Sequence, residues 1–544
     1  MDRKVLCGMP QMSVSEAILE QLRRAGVERI YGVVGDAIFG LMDAIAKQSA
    51  IRFITVKHES VAALMASAEA KCTGKLTVCA AQMGPGIANL LNGLGDAYLD
   101  GYPVLAISGQ APLNRIGTPY KQFVNQQSLV QSVSGYTQLV VHPDSVIASL
   151  ASAMYASIAR GTVSHLSIPA DLFGMQTQRL PQDPILSICG LPDPKSLEDA
   201  TQILRSATKP MILAGNKGRL ASAEIERLAI AWGSGIANAY GAIGVIADDF
   251  EMALGGLGEG GNPYLTERFR DADVVMAIGT SWWPDNCTPL EARVIQIAGR
   301  QNELSANMPA NCVVVGDIPT AIARLTQGLM DHKPSPDWIE SVRECKQTWK
   351  DRNETEGTES DFPMHPSCIV RKIENHVSSD AIIALDEGDS TLWFMRNFRA
   401  VHQLVIVSEQ WRTMGFGLPA AMAAKCCYPQ RQVVCVVGDG GIGMVLADML
   451  TASRYGLAVV MIVLNNGFLQ MERNKMGVRR LEPEGTAVAN PDYVQLAEAC
   501  GWRGYRAQSP DDLDEFLKVS LTSAQPVLIE VPTAQAVYPD YPIV

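Results

Sequence analysis

The chain has no Cys-x-x-Cys pair among its twelve cysteines, no cluster of basic residues, and no apolar run long enough to cross a bilayer. Each absence removes a class of function. Without short-spaced thiols, neither a zinc ribbon nor a disulfide framework is expected. The scattered cysteines, including the adjacent Cys426 and Cys427 in an Ala-rich, helix-like run, read as reduced buried thiols. Lys and Arg number 45 against 57 Asp and Glu, a net charge of −12, which argues against a nucleic-acid partner. An anionic ligand would therefore be held by local geometry. Residues 1–10 start with charges but carry no sustained apolar segment, and no amphipathic tail follows the last strand, so the expectation is a cytoplasmic protein with no membrane partner.

What is present is alternation. At 544 residues and 47% apolar content, the chain is expected to form about three domains of roughly 150–200 residues. The divisions are placed at 1–180, 190–335 and 360–544, with the Pro- and Asp-rich residues 181–195 and the charged residues 333–363 as linkers. Strand patterns at 29–34, 52–56, 76–80 and 103–110 are separated by helix patterns at 13–25 and 61–71. Further strands are read at 210–215, 272–278, 294–297, 381–385 and 526–531. The fold class is α/β, with three doubly wound parallel-sheet domains.

The most informative stretch is residues 432–466. Two almost wholly apolar runs, 432–437 and 457–464, suit parallel strands covered on both faces, and Gly438-Asp439-Gly440-Gly441 falls at the carboxyl end of the first. Open α/β sheets bind ligands there. Gly438, Gly440 and Gly441 let the backbone approach a ligand closely, and the amides that open the next helix favour an anion. A diphosphate would fit, and Asp439 with the amide oxygen of Asn466, 27 positions later, supplies oxygen ligands for a hard cation. A lone Gly-Asp-Gly is usually an ordinary turn; the strands, the spacing and Asn465-Asn466 make it more.

Gly-Asp-Gly followed at this spacing by Asn-Asn resembles the signature of thiamine-diphosphate enzymes, and the chain is similar to the pyruvate oxidase, acetolactate synthase and 2-oxo acid decarboxylase family. The resemblance implies thiamine diphosphate with Mg²⁺ held by Asp439, Asn466 and a backbone oxygen of Phe468. It implies diphosphate contacts from Gly388 and Ser390, and a wedge between the cofactor rings at Met414, within Met414-Gly-Phe-Gly-Leu-Pro419. A methionine at such spacing is otherwise core.

In the first domain, His58-Glu59-Ser60 ends a strand and opens a helix. A glutamate there is usually a favourable charge at a helix amino terminus. The resemblance instead implies that Glu59 hydrogen-bonds the aminopyrimidine ring and drives proton removal from the thiazolium, chemistry that needs a carboxylate in a dry site. Gly84-Pro-Gly86 and Asn89 open the next helix in the family's arrangement. Gly35-Asp36 matches a position where some relatives carry a catalytic aspartate, although Asp36 reads equally as a turn residue. Relatives usually have Phe-Gln-Glu in the substrate-facing loop; this chain keeps Gln122, flanked by Lys121 and Phe123, and has Lys475 near the position where acetolactate synthases place a Trp.

The middle domain corresponds to one that binds FAD in oxidases and acetolactate synthases. Here FAD is possible but not favoured: Ile297 continues as Ala298-Gly299-Arg300 instead of an acidic run, although residues 279–284 resemble the oxidase loop. Gly256-x-Gly258-x-x-Gly261 matches GxGxxG but is expected neither to follow a strand nor to open a helix. The resemblance also implies a homodimer or homotetramer with active sites shared between subunits, and decarboxylation of a small, pyruvate-like 2-oxo acid with transfer or release of the product unit. The alternatives are an FAD-dependent pyruvate oxidase and a cofactor-binding but inactive regulatory subunit, the latter disfavoured by retention of Glu59, Asp439 and Asn466.

Overall fold

The computed structural model describes residues 12–184, 189–280, 282–284, 287, 291–305, 308, 310–358 and 361–539. The readings on residues 1–10, on Ser281 and on the last five residues lie outside these.

Three six-stranded sheets, parallel throughout, form the framework. In chain order the first is built from β1 (Arg29–Gly32), β2 (Arg52–Thr55), β3 (Thr77–Ala81), β4 (Val104–Gln110), β5 (Tyr136–Leu139) and β6 (Val163–Pro169). Its spatial order is β2-β1-β3-β4-β6-β5. The second comprises β7 (Pro210–Ala214), β8 (Gly235–Asn238), β9 (Ala253–Gly256), β10 (Val274–Ile278), β11 (Arg293–Ala298) and β12 (Cys312–Val315), ordered β9-β8-β7-β10-β11-β12. The third comprises β13 (Ile382–Leu385), β14 (Leu404–Ile406), β15 (Val433–Gly438), β16 (Val460–Asn465), β17 (Arg503–Arg506) and β18 (Val527–Pro532), ordered β14-β13-β15-β16-β18-β17. The first and third sheets thus repeat one topology, in which the winding reverses between the first and third strands. Ligands bind beyond strand carboxyl ends at such a reversal.

The chain forms two compact units. One contains the first sheet together with residues 410–413 and 422–427; the other contains the second and third sheets. The central strands β3, β4 and β6 are fully buried because helices cover both sheet faces, and the polar residues among them, such as His165 of β6, are buried with the rest. The edge strands β5 and β17 are only partly buried and carry polar residues, so their sequences lack the apolar runs that mark the others.

Helix packing sets up the first half of the site. The helices Glu59–Thr73 and Pro85–Leu99 touch at Gly93, where a Cβ would overlap the backbone of Ala63 and Leu64. Lys71, almost fully buried, bridges Asp96 and Asp100 of the second helix at 2.8 and 2.7 Å. A buried ammonium needs that pairing. Among the described residues no helix is long and apolar enough to cross a membrane, and the eleven described cysteines are free.

One expectation is corrected in the second sheet. The Gly256 to Gly261 motif does follow a strand, β9, whose glycine-rich sequence hides it from periodicity. It opens no helix directly: Gly258 turns back at φ +88°, and the next helix begins only at Leu265. The strand lies at the sheet edge, away from the reversal between β7 and β10.

Candidate active site

In the first unit, His58 is extended (φ −141°, ψ 139°) and caps the helix Glu59–Thr73, its Nδ1 accepting the Ser60 amide at 3.3 Å. Glu59 is the first helical residue and half-buried, where the helix dipole favours its charge. Asn89 Nδ2 donates to Glu59 Oε2 at 2.9 Å. Gly86 leaves the space for this arrangement: a Cβ there would lie 3.4 Å from Glu59 Oε1. The structure therefore brings Glu59, Gly86 and Asn89 together.

Asp36 and Gln122 meet through a residue the sequence did not single out. Gln82 Nε2 donates to Asp36 Oδ1 at 2.6 Å and to Gln122 Oε1 at 3.0 Å. Its Oε1 accepts the Ala37 amide at 2.8 Å, and Gly35 is required beside it, since a Cβ there would lie 2.5 Å from that oxygen. Lys121 Nζ pairs with Asp36 Oδ2 at 2.7 Å and holds the carboxyl below its usual range. Asp36, 46% exposed, opens the 3-10 turn Asp36–Ile38, so it is a turn residue that also carries an ion pair.

In the second unit the glycine loop after β15 faces the turn after β13. Gly438 caps the short helix Asp439–Gly443. A Cβ on Gly438 would lie 3.8 Å from Ser390 Oγ, and that hydroxyl is buried without a hydrogen-bond partner among the described residues. A Cβ on Gly440 would lie 3.2 Å from Met414 Cε and overlap the end of Leu469. Gly388 adopts φ +141° with open space around its Cβ position. Gly441 packs on Asp386, whose buried carboxylate accepts from Glu387 N, Gly415 N and Gly417 N at 2.7–2.9 Å. Burial raises Asp386 to about 6 against the pull of those three amides. This carboxylate ties the Met414 segment to the β13 turn; its only trace in the sequence is an aspartate ending an apolar strand.

Asp439 is buried, and burial pushes its carboxyl up. Its Oδ2 accepts Gly467 N at 2.8 Å and Asn490 Nδ2 at 2.7 Å, while Oδ1 accepts Gly440 N at 3.1 Å. The Gly467 contact brings the turn at Asn466 against Asp439. Asn466 Oδ1 accepts Phe468 N at 3.1 Å, and Arg473 stacks over the Phe468 ring at 4.0 Å. Asn490 also donates to Asn465 Oδ1 at 2.9 Å and receives Tyr493 OH at 3.1 Å. Neither Asn490 nor Tyr493 has a spacing relation to Asp439 that the sequence would reveal. Lys475 lies on the helix Gln470–Val478 and pairs with Glu472 at 3.3 Å.

Ser390 Oγ, orphaned among the described residues, the side-chain-free loop residues Gly438 and Gly440, and the Asp439 carboxylate could together hold an anion and a hard cation. A separate cavity of about 420 Å³ in the same unit is lined by Asn238, Asp248, Lys346, Trp349 and Arg399 among others, and contains none of the predicted residues. Beyond β11, Arg300 pairs with Glu303 at 2.7 Å.

Family models for the N-terminal thiamine pyrophosphate binding domain, the central domain and the C-terminal thiamine pyrophosphate binding domain of thiamine pyrophosphate enzymes match residues 12–132, 197–325 and 386–531. YdaP of Bacillus subtilis (strain 168) is 32% identical over 528 residues, covering 96% of this chain and 92% of its own. An acetolactate synthase large subunit of Parasynechococcus marenigrum is 27% identical, with 96% and 87% covered. A pyruvate oxidase of Lactiplantibacillus plantarum is 28% identical, with 94% and 87% covered. With both binding domains and the central domain matched in order, the chain belongs to the thiamine pyrophosphate enzyme family.

Proposed function

We propose that this protein is a cytoplasmic thiamine-diphosphate- and Mg²⁺-dependent enzyme that decarboxylates a small, pyruvate-like 2-oxo acid and passes the remaining unit to an acceptor or releases it. The observation that carries the reading is the Ser390 hydroxyl, buried without a partner among the described residues and facing Gly438, next to Asp439. Ser390, Gly388, Gly438, Gly440 and Gly441 would hold the diphosphate, with Asp439, Asn466 and the Phe468 carbonyl around the cation, and Met414 against the rings. When bound, the thiazolium supplies an electron sink for loss of CO₂. Glu59 holds a proton at a ring nitrogen, and Asn89 fixes the carboxylate that does so. Asp36 and Gln122 would face the substrate, Asp36 as the carboxylate that exchanges a proton with it and Gln122 as a hydrogen-bonding amide. The assembly we propose is the one the family resemblance implies, a homodimer or homotetramer with active sites shared between subunits.

A panel of 2-oxo acids, assayed for CO₂ release with thiamine diphosphate and Mg²⁺, tests the reading. Glu59→Gln is expected to lower turnover at least ~100-fold with cofactor binding retained. A wild-type protein that binds the cofactor yet turns over none of the panel would favour an inactive regulatory subunit instead. The pyruvate oxidase relative supports a second reading, a flavin-dependent oxidase. The Ala298-Gly299-Arg300 continuation of β11 weighs against it, and an absorption spectrum of the purified protein with flavin bands would restore it.

A further inference from the structure

We propose that Gln82 is a positioning residue: its single carboxamide sets the Asp36 carboxylate and the Gln122 amide against each other and so fixes the loop of residues 118–125. That this loop faces substrate rests on the function proposed above; that Gln82 holds it does not.

Gln82 directly follows β3, and every polar atom of its side chain is used. One N–H goes to Asp36 at 2.6 Å and the other to Gln122 at 3.0 Å, while the oxygen takes the Ala37 amide at 2.8 Å. Three segments distant in sequence therefore meet on one neutral group. The backbone is shaped around it. Gly35 has no side chain where one would strike the Gln82 amide, and Gly84, at φ +63°, has none where one would overlap the Gln122 carbonyl. Gln122 itself sits at φ +60°, a left-handed conformation that a non-glycine residue keeps only where its surroundings impose it. The Gln82 amide is bonded to the side chain of this residue at 3.0 Å.

The position has a second neighbour. A Cβ on Gly86 would lie 3.0 Å from Gln82 Cβ and 3.4 Å from Glu59 Oε1, so Gln82 stands between the Glu59 corner and the Asp36–Gln122 corner. The charged groups around it are Asp36, Lys121 and Glu59. Only a neutral donor suits this place. A carboxylate of the same size would lose both donated bonds and face Asp36 directly, while Lys121 already serves Asp36 from the other oxygen.

The test uses the full chain with thiamine diphosphate and Mg²⁺, as Gln82→Ala and the isosteric Gln82→Glu. Amide hydrogen exchange in residues 118–125 is expected to accelerate roughly tenfold or more in both variants, with the helix Glu59–Thr73 unchanged. Unchanged exchange in that loop overturns the proposal whatever the activity. On the best 2-oxo acid substrate, kcat/KM is expected to fall at least ~10-fold with cofactor affinity held, and in Gln82→Glu alone the acid limb of the pH profile moves upward. A kcat/KM at the wild-type value despite a loosened loop overturns the positioning role. A wild-type protein inert toward every 2-oxo acid retires the function proposed above, and the exchange result then decides Gln82 by itself.

Discussion

Asn89 Nδ2 donates to Glu59 Oε2 across 2.9 Å, from the second turn of one helix to the first residue of another. The bond exists because Gly93 lets the two helices touch, so a glycine with no chemistry of its own sets the reach of the carboxylate. Asn89→Leu removes the donor and keeps the volume. Turnover is expected to fall ~10–100-fold, less than in Glu59→Gln, with thiamine diphosphate affinity unchanged. Equal turnover in Asn89→Leu and wild type, measured as CO₂ release, would show that the bond does not orient Glu59.

Asn490 reaches Asp439 from 51 positions away and also holds Asn465, so it fixes both strand ends that would carry the cation. Partners of this kind orient ligands without touching the metal. Asn490→Ala is expected to weaken Mg²⁺ binding ~10–100-fold, with Mn²⁺ titration followed by electron paramagnetic resonance as the check. Mn²⁺ affinity equal to wild type would place Asp439 outside the cation site.

Ser390 is a thermodynamic reporter. Its hydroxyl is buried without a partner among the described residues, a state that costs about 1–3 kcal/mol, so Ser390→Ala should leave the Tm of cofactor-free protein unchanged or raised. The same change should shrink the Tm rise on adding thiamine diphosphate and Mg²⁺. A lowered Tm without cofactor, together with a full cofactor-induced rise, would contradict both halves.

His165 is fully buried on β6, with Ser108 Oγ at 2.7 Å from Nε2 and Thr137 Oγ1 at 2.9 Å from Nδ1. Burial lowers its pKa from 6.5 to about 3, so the folded chain keeps it neutral while the unfolded chain protonates it. Its contribution to stability is present above about pH 6.5 and is lost as pH falls toward 3, by at most about 1.4 kcal/mol per pH unit. Asp386, raised to about 6, acts in the opposite sense: its contribution is full below the ordinary carboxylate range and is lost as pH rises through 6. The difference between variant and wild type is therefore the diagnostic quantity. His165→Gln is expected to show a flatter fall in Tm between pH 6.5 and 4 than wild type; parallel curves would mean His165 is not the group titrating.

Much of the fold was legible because buried parallel strands leave continuous apolar runs. Eleven of the eighteen sheet strands were read that way; of the seven that escaped, β5 and β17 carry polar residues at sheet edges, β6 interrupts its run with Ser164, His165 and Ser167, β9 is half glycine, and β8, β12 and β14 are only three or four residues long. The site was legible where chemistry follows one strand end at short range, as with Gly438 to Gly441 after β15 and His58-Glu59 after β2. It was not legible where one side chain joins distant segments. Gln82, Asn490 and Asp386 each make three hydrogen bonds in the site, yet no local pattern distinguishes them from an ordinary loop amide or a turn aspartate.

The sequence alone determined the α/β class, the three sheets and the glycine-bearing strand ends, because those depend on periodicity and on residues within one turn of each other, and it pointed to the family through the resemblance of Gly438-Asp439-Gly440 with Asn465-Asn466. The tertiary structure decided what surrounds them: that Lys121 neutralises Asp36, that Gln82 ties Asp36 to Gln122, and that Ser390 is left unsatisfied beside Gly438. Those relations arise from how sheets bring remote loops together and how burial removes water from a polar group, and neither is a property of any segment taken by itself.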